Sequence, residues 1–459
     1  MAKIAALGAY LYQALLAFGL LIAVSNLLPA LDYAAYSLFI AVVQFADAIC
    51  FQWIRAACSR FYPGPDGASE RAQRGVIVAE LSGSAVVCLF AALLAPLFGA
   101  PLWLGLIGAV AAILQGAGEL HLTMLRFRQQ FRLFSWLQGA RATIMAATTI
   151  GGAAIRADLA FVLAGVLAGN LIYCALAWVL ARRILPLSAG WNRAIARDHL
   201  TYGGTSAGAA IANLSVPLGL KSILIGTLGP AAAGPMLALD LLQRPFVMIV
   251  SSLQAIRFPE LVAVFDREGD SESFRAELGR FYALLVGFSL IGAAGLIAVL
   301  GLATWIAIPA GLQPAFLRTA PFFLLMALLR PLISTLLPTP AHLRRRLPAI
   351  IGLAVLDCAM TCAGALIAAW LFPGADAAIA AGAATGAGAA LALGIALMHW
   401  RSFAMPWQPV ALPAAALALS WLSAGWFSGN LPVATGLALA AVLAFSARPF
   451  LTLLRWIAR

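Results

Sequence analysis

The sequence predicts an all-α polytopic membrane protein: two six-helix lobes related by a pseudo-twofold axis along the membrane normal, plus two appended C-terminal helices, about fourteen transmembrane helices in all. Three observations predict it. Apolar runs of about twenty residues, the length a helix needs to cross the hydrocarbon, recur along the whole chain. The loops between them alternate between arginine-rich and almost uncharged. One stretch near the middle, 228–260, aligns without a gap on 31–63.

Composition removes the alternatives. With 63% hydrophobic residues, 10% charged residues and a mean hydropathy of +0.97, the chain is unlike any soluble globular protein. Runs near twenty residues, rather than alternating segments near ten, exclude a β-barrel. The formal charge of +12 would suggest nucleic acid in a soluble protein. Here the basic residues fall in short loops, where they set orientation, so no nucleic-acid partner is expected.

In chain order the spans are expected at about 5–29, 35–60, 75–99, 101–125, 132–154 and 157–181, and after a linker at about 200–226, 230–256, 279–306, 315–338, 347–371, 375–399, 408–427 and 431–447. The first is too long and too weakly basic at its front for a cleaved signal peptide. With the N-terminus inside, the even loops should be basic, and they are. They carry Arg60, Arg71 and Arg74; Arg126, Arg128 and Arg132; Arg182, Arg183, Arg193 and Arg197; Arg257, Arg267, Arg275 and Arg280; Arg344, Arg345 and Arg346; and Arg401, with Arg448, Arg455 and Arg459 at the tail. The odd loops offer Arg156, and Arg318 at a span start. A missed span would scramble this alternation, so both termini are expected in the cytoplasm, of a multi-pass protein in the bacterial inner membrane.

The expected division is an N-terminal lobe 1–185, a cytoplasmic linker 186–199, a C-terminal lobe 200–402, and 403–459 with the two additional helices and the tail. The longest cytoplasmic segments are 182–199 and 257–279. The former could end in an amphipathic surface helix with Trp191 at the interface. In the internal alignment Arg60 and Phe61 meet Arg257 and Phe258, and Asp47 falls opposite Arg244. Six spans per half make the repeats parallel. Gly382, Gly386 and Gly388 read as close-packing positions against a neighbouring helix. The six cysteines lie in apolar runs and read as small packing residues.

Ten ionisable residues fall inside spans: Asp47, Arg55, Glu80, Glu119, Arg141, Lys221, Asp240, Arg244, Arg330 and Asp357. Each costs about 2.5–3.5 kcal/mol on insertion scales unless paired or hydrated. Asp240 and Arg244 are four apart, on one helix face, and Pro245 follows and frees the carbonyl of Leu241. Arg330-Pro331 repeats that dipeptide, and Pro217 precedes Lys221 by four, so three cations each neighbour a proline break. Two readings stand. Five cations and five anions could pair structurally. Alternatively Arg55, Arg141, Lys221, Arg244 and Arg330 form a cationic cavity for an anionic substrate, arginine's planar fork being suited to phosphate. Asp47, Glu119, Asp240 and Asp357 then serve ion coupling or charge pairing.

No HExxH, nucleophile elbow or Walker lysine occurs, and the four histidines are scattered, so no cofactor, metal or catalytic centre is expected. A membrane polymerase or ligase would need a substantial outer loop, and the odd loops are short.

The segments LPALDYAAYSLFIA near the start, LIGTLGPAAAGPMLALDLLQRP opening the second half, and RFPE followed by FDREGDSESFRAELGR resemble the polysaccharide transporters of the multidrug/oligosaccharidyl-lipid/polysaccharide exporter superfamily, over roughly residues 1–400. Where that family has glycine and tyrosine, Ala35 and Tyr36 stand here, and Gly234 is followed by Pro235-Met236. The resemblance implies an O-antigen-type flippase. It would move a polyprenyl-(pyro)phosphate-linked oligosaccharide from the inner to the outer leaflet by alternating access around a cationic cavity. The implied partners are an undecaprenyl-linked glycan, membrane lipids, a coupling ion (H+ or Na+) and other polysaccharide-assembly proteins. An ion-coupled multidrug or small-solute exporter is the alternative on the same fold.

Overall fold

A computed structural model of the chain describes residues 2–62, 67–188, 190–344, 346–397, 405–426 and 430–458. Among them are fourteen long helices and one short one: α1 Ala2–Leu27, α2 Ala30–Phe61, α3 Gly67–Ala92, α4 Leu102–Phe127, α5 Phe131–Ile155, α6 Leu159–Ala181, α7 Arg193–Leu228, α8 Ala233–Glu268, α9 Glu272–Ala307, α10 Gln313–Pro331, α11 Thr339–Leu343, α12 Leu347–Leu371, α13 Asp376–Leu397, α14 Gln408–Trp426 and α15 Leu431–Ala458. The fourteen long helices match the expected spans one for one. Ten stretches among the described residues are long and apolar enough to cross a membrane, one of them running through both α7 and α8. Tyr12–Leu27 and Gln408–Ala424 are shorter apolar helices. Arg345, His399, Arg401 and Arg459 lie outside the described residues.

Two expectations change. The segment 257–279 is helical rather than a loop, and 182–199 turns helical in its second half, where a surface helix is expected, but as the start of α7 itself. Helix α7 begins at Arg193, and α8 and α9 run on to Glu268 and from Glu272, leaving a three-residue turn. Gly269 there has φ +64°, and the Ser271 side chain accepts from the Phe274 amide at 3.1 Å, capping α9. The charged residues of this stretch therefore decorate a helical hairpin. The second change concerns Pro245. Helix α8 continues through it, and α7 continues through Pro217. A proline removes one backbone donor, but opening the helix further would strand more polar groups where no water can reach them. A break does follow Pro331, where α10 gives way to a π turn at Leu332–Leu336.

The chain divides into two compact units, Met1–Ser222 and Ile223–Arg459. In the first, α1 packs on α5, α5 on α6, and α4 on α2, α3 and α6. About the first eight turns of α7, as far as Ser222, belong with it. A Cβ at Gly203 would meet the Trp53 carbonyl of α2 at 2.2 Å, so the two backbones touch there. His199 is fully buried against Glu80 of α3. The boundary consequently falls inside α7 rather than in the loop before it. In the second unit α8 packs on α9 and α10, α10 on α13, and α12 on α13. The appended α14 and α15 pack on each other and on α9.

Glycine sets the tightest crossing. A Cβ at Gly386 of α13 would lie 2.1 Å from the Met360 carbonyl of α12, and one at Gly382 2.3 Å from the Gly364 carbonyl. The pair can approach this closely only because those positions have no side chain. Gly388 makes only an ordinary contact, with Leu329.

Candidate functional site

The first unit carries a cluster of four charges. On α2, Arg55 reaches back over two turns and grips Asp47 with both arms of its fork, at 2.9 and 2.7 Å. Gln52 accepts from the same guanidinium at 2.9 and 2.6 Å. Glu119 of α4 pairs with Arg141 of α5, whose guanidinium lies 5.6 Å from the centre of the Tyr173 ring on α6. The two pairs feel one another: Arg55 and Arg141 both act on Asp47 and on Glu119. The cluster thus holds two cations and two anions, mostly out of solvent. The Tyr173 hydroxyl beside it is buried and has no hydrogen-bond partner among the described residues.

Lys221 is 4% exposed, and its Nζ donates to the Ser37 carbonyl of α2 at 3.1 Å. That bond ties α7 to α2 within the first unit.

In the second unit, Arg330 donates to Asp357 of α12 at 3.1 Å, and Asp357 also accepts from the Thr361 hydroxyl one turn on, at 3.1 Å. Arg318 binds Asp376 at 3.2 and 2.8 Å near the opposite end of α10. Asp240 and Arg244 lie one turn apart on α8, both half-buried.

The structure therefore gives Arg55, Arg141 and Arg330 each a carboxylate from among the expected four. Three of the five positions expected to line a cationic cavity thus carry a compensating charge beside them, and Lys221 meets a backbone carbonyl instead. What sequence reasoning missed is the partner at a distance. The i, i+3 spacing of Gln52 and Arg55, and the i, i+4 spacing of Asp357 and Thr361, could have signalled those contacts. The eight-residue reach from Asp47 to Arg55 and the pairings between helices had no signal. Glu80, the fifth acid among the span charges, pairs with a residue outside that set. It is buried, and its carboxylate binds His199 Nδ1 at 2.9 Å while His199 Nε2 meets Gln73 at 2.8 Å. Among the described residues no group of three His, Cys, Asp or Glu side chains could hold a metal ion.

With the helices and their charges placed, comparison with known proteins is informative. The family described as "Polysaccharide biosynthesis protein" matches residues 75–305, just over half of the chain. The chain belongs to this family. No curated protein matches it. Among solved structures it is similar to the lipid II flippase MurJ in an inward closed conformation, with a TM-score of 0.74 and 9% identity over 97% of this chain and 98% of that one. It is also similar to MATE in complex with MaL6, with a TM-score of 0.59 and 12% identity over 86% and 93% of the two chains. A third is a MOP superfamily transporter from Pyrococcus furiosus whose title reports a binding pocket of reversed polarity, with a TM-score of 0.56 and 15% identity over 87% and 94%. At these identities the likeness establishes the fold. This polysaccharide biosynthesis family member is a multi-pass membrane protein with the two-lobed fold of that superfamily.

Proposed function

We propose that this polysaccharide biosynthesis protein is a flippase that carries a polyprenyl-(pyro)phosphate-linked oligosaccharide from the inner to the outer leaflet of the bacterial cytoplasmic membrane. The observation that carries the reading is the family match on a chain built of membrane-crossing helices in a transporter fold. A polysaccharide pathway must move its lipid-linked intermediates across the bilayer, and a two-lobed fold of this kind suits that step by alternating access.

In this reading Arg55, Arg141, Lys221, Arg244 and Arg330 face the substrate phosphates. The pairings refine the mechanism: a diphosphate would have to compete with Asp47, Glu119 and Asp357 for the guanidinium forks. A phosphate offers more acceptor oxygens than a carboxylate, so the exchange is chemically reasonable. Each carboxylate released is a candidate site for the coupling ion, as is Asp240. An ion-coupled multidrug or small-solute exporter is the second reading, favoured by these same acidic partners, which offset three of the five cations of the path.

The test is accumulation of lipid-linked oligosaccharide in a strain lacking the gene, complemented with wild type, Arg244→Ala and Arg330→Ala. The expected result is that repeat units are trapped on the inner leaflet and only wild type releases them. Normal glycan export in the deletion strain would defeat the flippase reading and turn attention to drug susceptibility. Full complementation by both variants would leave the flippase standing and remove the arginines from the path.

A further inference from the structure

We propose that the strap joining α6 to α7, residues 182–188 and 190–192, together with the first two turns of α7, is a binding surface for anionic phospholipid headgroups of the leaflet at the arginine-rich side of the protein. The inference does not depend on which substrate the protein moves.

The strap is held on the first unit at two points. The Arg128 guanidinium donates to the Ile184 carbonyl, and Arg74 Nε donates to the Ser188 hydroxyl at 3.4 Å. Glu70 fixes both arginines, at 2.6 Å from Arg74 and 2.9 Å from Arg128, and also accepts from Tyr62 at 2.6 Å. Leu185 and Ser188 are thereby buried. The residues between and beyond them turn outward, leaving Leu187 67% and Trp191 64% exposed. An exposed tryptophan on a short segment at the end of a membrane helix is placed as an interfacial anchor.

Under the strap, Leu187, Ser188 and Trp191 border a hollow of about 620 Å³ with Gly75, Val78 and Ala79 of α3. Its walls are almost wholly apolar, which suits an acyl chain rather than water. Around it the exposed charge is mostly positive. Arg182, Arg183, Arg193 and Arg197 are exposed and make no ion pair among the described residues, and Asp198 is the one exposed acid between Arg182 and Leu200. Arginine-rich ends are common to membrane proteins, but the α8–α9 hairpin of the second unit treats its own differently. On the α8–α9 hairpin, Arg257 pairs with Glu260, Arg267 with Glu268, Arg275 with Asp270 and Arg280 with Glu277. Other exposed arginines, among them Arg60, Arg71, Arg126, Arg132, Arg448 and Arg455, also make no ion pair among the described residues, but at the strap four such arginines fall between Arg182 and Arg197, beside the exposed tryptophan and the apolar hollow. A headgroup phosphate for the guanidinium forks and an acyl chain for the hollow satisfy both features together.

The test uses the full-length protein in detergent and native mass spectrometry with phosphatidylglycerol or phosphatidylcholine of identical acyl chains. Wild type is expected to retain phosphatidylglycerol about tenfold better. The fourfold variant R182Q/R183Q/R193Q/R197Q should lose that preference, and W191A should weaken both lipids alike. R267Q/R275Q/R280Q should leave the preference intact. If the fourfold variant does not fold, R182Q/R183Q and R193Q/R197Q are each expected to reduce the preference. Equal retention of the two lipids by wild type, an unchanged preference in the strap variants, or retention of a polyprenyl diphosphate without either phospholipid would overturn the proposal. Each of those results is independent of whether glycan export requires the protein.

Discussion

Asp47 and Arg55 show what a buried pair demands. Their side chains are 8% and 13% exposed, and each is the compensation for the other inside a membrane helix. Removing one partner leaves an uncompensated charge, a loss of about 3–5 kcal/mol, whereas removing both charges together is far milder. We therefore expect D47N and R55Q each to lower the thermal unfolding midpoint of the purified protein markedly, and D47N/R55Q to recover most of the loss. The same double variant separates structure from transport. If Arg55 serves the substrate phosphates, the double variant is stable yet fails to complement. If it complements, the pair is structural only.

At the scale of elements, α12 and α13 are joined through Gly364, Gly382 and Gly386. Gly386→Leu would place a branched side chain where a carbonyl now sits 2.1 Å from the Cβ position. The expected cost is about 1–3 kcal/mol or more, read as a lower unfolding midpoint, while Gly388→Ala should be nearly silent. The α8–α9 hairpin makes a prediction about pH. The Arg275 hydrogen bond, with Arg344 next to it, holds the Asp270 carboxyl below its ordinary range. A carboxyl lowered in this way stabilises the folded form above its ordinary value, and that contribution is lost as pH falls through the lowered one. Asp270 is 43% exposed, so the effect is small, under about 1 kcal/mol. Hydrogen exchange in the hairpin should be faster in D270N than in wild type at neutral pH, and the difference should vanish in strong acid.

For the whole molecule, the alternation of basic loops predicts one orientation. Asn192→Cys and Arg267→Cys, both exposed, should react with a membrane-impermeant maleimide only in inverted vesicles. Ala157→Cys and Pro373→Cys, also exposed, should react only in right-side-out cells. The six native cysteines are buried or half-buried and give the background. Labelling of Asn192→Cys and Ala157→Cys from the same side would break the topology on which both the flippase reading and the lipid surface stand.

The number of helices, their order and the alternation of arginine-rich with nearly uncharged loops were legible in the sequence alone. These are local properties: a run of about twenty apolar residues, or a cluster of guanidinium groups, has its meaning in the membrane whatever it packs against. The sequence also determined which side chains were out of place in lipid, from Asp47 to Asp357. Their partners were another matter. Arg141 with Glu119, Arg330 with Asp357 and Lys221 with the Ser37 carbonyl join residues 22, 27 and 184 positions apart. Which charge neutralises which depends on the rotation and neighbours of each helix, and an apolar span has too little polarity around its circumference to fix them in advance. The same reason explains α7, whose first turns join the first unit through the backbone contact at Gly203 and the buried His199. A glycine and a histidine carry no such instruction until the opposing helix is in place, and only the tertiary structure supplied it.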